Sequence, residues 1–260
     1  MEVVVLPTGA EVARLAADAV VQQLTTRPDA VLGLATGSSP LGVYDELARR
    51  HGAGEVTLAR ARCFLLDEYV GLPPTHEQRY RSVIRRELES RVDLAPGSVT
   101  GPDGDAEDLP SACAAFERAI DDVGGVDLQL LGIGRDGHIA FNEPGSSLVS
   151  RTRVKTLTAR TRADNARFFD HPQDVPHHVL TQGLGTITDA RHLVLLATGA
   201  AKAPAVRQMV EGPVSAMCPA SVLQLHQHAT VVVDEDAAAE LSLLGYFRET
   251  YAAKPAWQGL

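Results

Sequence analysis

Apolar runs of four to six residues recur along this 260-residue chain, and most are followed by a segment of helical period. Val3–Leu6, Val31–Ala35, Arg62–Leu66, Val126–Leu131, His192–Ala197 and Thr230–Val233 read as strands. A run that is apolar at consecutive positions has no polar face to show to water, so both sides of its sheet must be covered. That requirement suits a parallel sheet packed between helices. Between the first two runs, Val12, Leu15, Ala16, Ala19 and Val20 fall on one helical face. Further helices are expected from Pro40 through Arg50, with Ser39 as cap and Pro40 at the first position. Others are expected from about Gln78 to Arg91, Ser111 to Val123, Lys202 to Glu211 and Ala237 to Thr250. The Pro/Gly/Asp-rich stretch Ala95–Pro110 reads as a surface loop. With no internal repeat or low-complexity tract, residues 1–260 are expected to form a single α/β domain, an open and mostly parallel Rossmann-like sheet flanked by helices.

Apolar residues make up 45% of the chain and charged residues 22%, as in ordinary globular proteins. The net charge of −9 argues against nucleic acid as a partner, because phosphate neutralisation needs clustered cations. An anionic small molecule in a local basic pocket remains open. Cys63, Cys113 and Cys218 are odd in number and widely spaced. They form neither a metal-ligand spacing nor a disulfide framework, which points to free thiols in a reducing compartment. The N-terminus is acidic and only briefly apolar, unlike a signal peptide. No run approaches the length of a membrane span. A cytoplasmic chain without a metal or a membrane partner is expected.

In open parallel sheets, ligands bind outside the carboxyl ends of the strands. Four of the expected strands end there in chemically loaded loops. Residues 132–144 (GIGRDGHIAFNEP) place Asp136, His138 and Glu143 among glycines. A carboxylate beside the histidine would favour the imidazolium and set its tautomer. Asp67 and Glu68 follow the third strand, and adjacent carboxylates on extended chain must point differently. Asp67 is the candidate general base, and capping of the next turn is the other reading. Thr36, Gly37, Ser38 and Ser39 offer amides, hydroxyls and a helix N-terminus, the ingredients of an anion site or of a plain capped turn. Gly199 with Lys202 opens another helix and could add a cation. Neither glycine loop matches a nucleotide-binding fingerprint, and no nucleophile elbow is present. Arg151, Arg153 and Lys155 would share one face of an extended segment, either as a solvated edge strand or as a second anion site.

Three segments resemble glucosamine-6-phosphate deaminase: Leu66–Leu72 (LDEYVGL), Gly132–Pro144 and Ser150–Thr158 (SRTRVKTLT). The resemblance extends to Tyr246–Glu249 and so covers nearly the whole chain. The Phe141–Pro144 tail is its specific part, since the related 6-phosphogluconolactonases share the Asp-Gly-His loop but continue differently. The resemblance implies conversion of glucosamine 6-phosphate and water into fructose 6-phosphate and ammonium, without cofactor or metal. It implies that His138 opens the sugar ring with Asp136 and Glu143 beside it, and that Asp67 moves a proton from carbon 2 to carbon 1. Thr36, Gly37, Ser38, Ser39, Arg167 and Lys202 would hold the phosphate. Allosteric members are homo-hexamers activated by N-acetylglucosamine 6-phosphate. That effector site resembles Ser146, Arg153, Lys155 and Tyr246 here, although Phe116 stands where those members have tyrosine. Two other functions fit the same crevice: hydrolysis of a sugar-phosphate lactone, and a sugar-phosphate sensor without turnover.

Overall fold

The computed structural model describes residues 1–260, apart from the side chains of Arg160, Asp164 and Ala256. Its main sheet is parallel throughout and follows the order β1 (Glu2–Leu6), β10 (Ala229–Asp234), β9 (His192–Ala197), β6 (Leu128–Gly132), β2 (Val31–Leu34), β3 (Arg62–Leu65), β5 (Val99–Thr100). β9 and β10 are buried at every position and β2 likewise, which is why their sequences are apolar without alternation. One face packs against α1 (Gly9–Thr26), α2 (Ser38–Gly52) and α3 (Tyr80–Glu87), joining Val20, Leu47 and Ile84 to Leu32 and Leu130. The other face packs against α4 (Leu109–Asp122), α6 (Leu184–Thr188) and α7 (Ala203–Glu211), around Phe116, Ile187, Val206 and Leu131. The expected architecture is therefore present.

A second, antiparallel sheet was not foreseen. It consists of β4 (Asp67–Tyr69), β8 (His178–Thr181) and β7 (Arg153–Thr156), with β8 in the centre. Its strands are three or four residues long and mix charge with apolar side chains, so no periodicity marks them. The residues after β3 are thus the start of a new strand, not a loop. A small core of Tyr69, Leu72, Phe141, Leu157, Val175 and Val179 lies beneath this sheet and beside α5 (Ala159–Asn165).

Other boundaries move for identifiable reasons. The segment Ala95–Pro110 contains the edge strand β5, whose buried Val99 lies among loop-type residues. Helix α2 starts earlier than expected. Gly37, at φ 106°, occupies its N-cap, so Ser39 is inside the helix and Pro40 is not its first residue. The helix expected from Gln78 to Arg91 is α3 followed by a short 3-10 turn, Glu89–Arg91. The last helix, α8 (Leu244–Ala252), begins later than Ala237. There the Asp234 carboxylate accepts from the amide of Ala237 at 2.8 Å and holds the chain in a turn. All three cysteines are free and buried, and no helix among the described residues is long and apolar enough to cross a membrane.

Candidate active site

β2 leads to β3 on one side of the sheet and β6 leads to β9 on the other, so the chain diverges between β2 and β6. A crevice opens at such a point, beyond the strand ends. The cavity found there measures about 840 Å³. Thr36–Ser39, Asp67, Gly132–Gly134, Asp136, His138, Glu143, Arg167 and Lys202 all line it. All four loops anticipated from the strand ends converge, together with Arg167 from the short helical turn after α5.

Asp67 is 5% exposed, and burial raises its pKa well above the ordinary aspartate value, with the neighbouring Glu68 charge adding to the effect. Glu68 faces the other way. Its carboxylate accepts from the amides of Tyr69, Tyr80 and Arg81, each at 2.9 Å, and lies 3.6 Å from Arg79 Nε. Hydrogen bonds to a charged acceptor contribute about 1.5–3 kcal/mol each, so Glu68 is a brace for the turn into α3. Asp67 has the character of a base: buried, on the cavity wall and proton-seeking. The aromatic rings of Tyr80, Phe169 and Phe141 lie 5.0, 5.7 and 6.0 Å from that of Tyr69 and shield this side of the cavity.

On the facing loop, His138 Nδ1 lies 2.7 Å from Asp136 Oδ1. The histidine beside it is the largest influence holding the Asp136 carboxyl down at about 2. The loop folds tightly enough that a Cβ on Gly134 would sit 2.2 Å from His138 Cε1. Gly137 adopts φ +83°, a region that disfavours side chains. Its carbonyl accepts from Ala220 N at 2.8 Å, which pins the loop to the segment after Cys218.

Glu143 does not pair with His138. Its carboxylate accepts from Thr161 Oγ1 in a short contact and from Thr158 Oγ1 at 3.5 Å, at the start of α5. The pairing expected from proximity in sequence fails because the turn at Ile139–Asn142, with Ala140 at φ 52°, carries Glu143 toward α5. Thr158 and Thr161 were not identified from the sequence. Their signal was a helix-start pattern, since Thr158 accepts from Thr161 N as an N-cap.

The anion-binding ingredients also meet. Gly37 turns the chain into α2 so that Ser38 and Ser39 occupy its first turn at the cavity. Lys202 Nζ donates to Ile133 O at 2.6 Å. The loop that carries Lys202 is set by Asp234, which accepts from Gly199 N at 3.0 Å. The Arg167 guanidinium stacks 4.6 Å from the centre of the Phe168 ring.

The basic cluster separates. Arg151 is drawn off by Glu117 at 2.7 Å and by Asp189 at 2.5 Å. Arg153 and Lys155 remain on one side of β7, an edge strand, with Arg153 bonded to Arg151 O at 3.3 Å. No carboxylate pairs with Arg153 among the described residues, and burial lowers its pKa. The Ser146 hydroxyl is buried and unpartnered. Tyr246 is exposed on α8, which packs on β1 at the opposite edge of the main sheet, so one chain does not bring it to this group. Phe116 is a core residue, edge-on to Phe64 with ring centres 5.8 Å apart.

Residues 8–232 match the family described as glucosamine-6-phosphate isomerases/6-phosphogluconolactonase. The chain belongs to this family. A glucosamine-6-phosphate deaminase of Arthrobacter sp. (strain FB24) is 66% identical over 260 residues, covering 100% of both chains. The solved structure of a monomeric glucosamine-6-phosphate deaminase matches with TM-score 0.90 and 41% identity, over 92% of this chain and 100% of that one. A 6-phosphogluconolactonase from Trypanosoma cruzi matches with TM-score 0.74 and 22% identity, over 93% of this chain and 97% of that one. The family fold is thus common to both activities, and the choice between them rests on the site.

Proposed function

We infer that this chain is a glucosamine-6-phosphate deaminase, converting glucosamine 6-phosphate and water to fructose 6-phosphate and ammonium. The observation that carries the reading is the buried, proton-seeking Asp67 across one cavity from the His138–Asp136 pair. Lactone hydrolysis removes no carbon-bound proton and would leave Asp67 without a task. The 66% identity to a glucosamine-6-phosphate deaminase over the full length of both chains supports the same choice.

In this mechanism Asp136 orients the imidazole, and His138 transfers the proton that opens the pyranose ring. Asp67 takes the carbon 2 proton of the open-chain 2-amino aldehyde, leaving a carbon 1–carbon 2 enolamine, and returns it to carbon 1 to give the carbon 2 ketimine. Carbon 1 is thereby reduced and carbon 2 oxidised within one molecule, so no external electron acceptor enters. Water then adds to the carbon 2 ketimine, and ammonia leaves and is protonated to ammonium. Glu143, held by Thr161, faces the same cavity and assists the acid–base steps with His138. Thr36, Gly37, Ser38, Ser39, Arg167 and Lys202 bind the substrate phosphate. The amides of a helix N-terminus and two cations suit a dianion. Free buried thiols and the absence of a spanning helix among the described residues fit a cytoplasmic site of action.

An assay for ammonium and fructose 6-phosphate from purified protein and glucosamine 6-phosphate tests the reading. Equal release of both products is expected. No ammonium above a heat-killed control would overturn it, and a rise in melting temperature with the sugar phosphate alone would then favour a sensor.

Arg153, Lys155 and Ser146 extend the proposal to activation by N-acetylglucosamine 6-phosphate in a homo-hexamer. The supporting feature is a half-buried guanidinium without an acidic partner, near the start of a small sheet that also contains Asp67. The effector is expected to raise activity at low substrate in the parent and to leave Arg153→Ala unaffected. A parent that sediments as a monomer and does not respond removes this part of the proposal.

A further inference from the structure

Two buried amide side chains connect the catalytic loops. Asn142, with no exposed surface, donates from Nδ2 to Ile139 O at 3.1 Å and to Gln182 O at 2.8 Å. The first bond closes its own turn, and the second reaches the end of β8. Gln182 is 1% exposed and continues the path to the other loop. Its amide donates to Leu66 O at 2.7 Å and its Nε2 to Leu65 O at 3.0 Å. Leu66 immediately precedes Asp67, and Asn142 immediately precedes Glu143. Alongside this path, Phe141 N donates to Thr181 Oγ1 at 3.2 Å, and Thr181 pairs with Asp67 across the small sheet.

The Asn142 side chain is poorly suited to packing alone. Its Oδ1 is buried without a partner, and an unsatisfied buried acceptor destabilises where an apolar group of the same shape would not. The feature that offsets this loss is the pair of bonds made by Nδ2. We propose that Asn142, with Gln182 behind it, is a positioning residue that sets the separation between the Asp67 carboxylate and the loop of His138 and Glu143. This rests on the acid–base reading of those three residues. Neither amide touches the substrate; each acts through the backbone next to a catalytic group.

The test is Asn142→Leu, which keeps the branched shape and the number of side-chain heavy atoms and removes both donors. Misplacing a catalytic group by about 1 Å lowers turnover about 100-fold. We expect kcat to fall ~10- to 100-fold, KM to stay within about twofold, and the melting temperature to stay within a few degrees. The acid limb of the kcat profile should move to lower pH as Asp67 gains contact with water. Gln182→Leu should lose kcat several-fold, and the double variant should lose no more than Asn142→Leu, because both break one path. Parental kcat in folded Asn142→Leu overturns the proposal, as do strictly additive losses. If Asn142→Leu does not fold, Gln182→Leu decides, and parental kcat there is equally fatal. A parent without ammonium release refutes the functional reading instead, so the two failures are told apart.

Discussion

Asp67→Asn is expected to abolish exchange of the substrate's carbon 2 proton with solvent and to lower kcat by about 10²–10⁴-fold, the usual contribution of a general base. The amide is nearly the same size and cannot accept the proton, so substrate binding should persist. Incubation with glucosamine 6-phosphate in deuterated water, read by proton NMR, checks the step directly. Undiminished exchange would remove Asp67 from its assigned role. The parent's rate should also decline with falling pH at a point above the ordinary carboxylate range, since burial raises the Asp67 pKa. The same shift predicts an effect on stability. A carboxyl whose pKa is higher folded than unfolded contributes stability that is present below the unfolded value and is lost as pH rises through the folded value. At neutral pH, above the unfolded value, the parent therefore lacks part of that stability, and Asp67→Asn should melt higher. At pH 3, where Asp67 is protonated in both states, that gain should vanish.

Gly134→Ala should be nearly as damaging, for a steric reason. The added Cβ would lie 2.2 Å from His138 Cε1, 2.3 Å from Nδ1 and 2.5 Å from Nε2. The ring must move by more than an ångström, and displacement on that scale costs about 100-fold in turnover. Because the His138 side chain is 31% exposed, it can swing toward the cavity and leave the fold intact. Steady-state kinetics with circular dichroism would show reduced kcat in a folded protein. Parental kcat would mean that the observed ring position is not the one used in catalysis.

Much of the site was legible because its residues are close in sequence. Asp136, His138 and the flanking glycines occur within one loop, and strand ends announce the loops of Asp67, Thr36 and Lys202. Arg167 was legible only through resemblance, since nothing local distinguishes it from the neighbouring basic residues. The partner of Glu143 was not legible. Neighbours in sequence suggested His138, but a turn at Ala140 redirects the carboxylate to Thr161, eighteen residues further on. Arg151 shows the same limit, because its partners Glu117 and Asp189 lie on other elements and separate it from Arg153.

By itself, the sequence determined the layered parallel architecture, because strands buried on both faces must be apolar throughout, and that pattern is local. It also determined the chemistry available at the strand ends. Only the tertiary structure decided how the surroundings of the two carboxylates of the Asp67–Glu68 pair differ. Three backbone amides, two of them from the start of α3, claim Glu68, while the small sheet buries Asp67 against the cavity. That sheet, and the Asn142–Gln182 bond across 40 residues, arise from contacts between short, mixed segments. Such segments have no periodic signature, and their pairing energy exists only after the main sheet has brought them together.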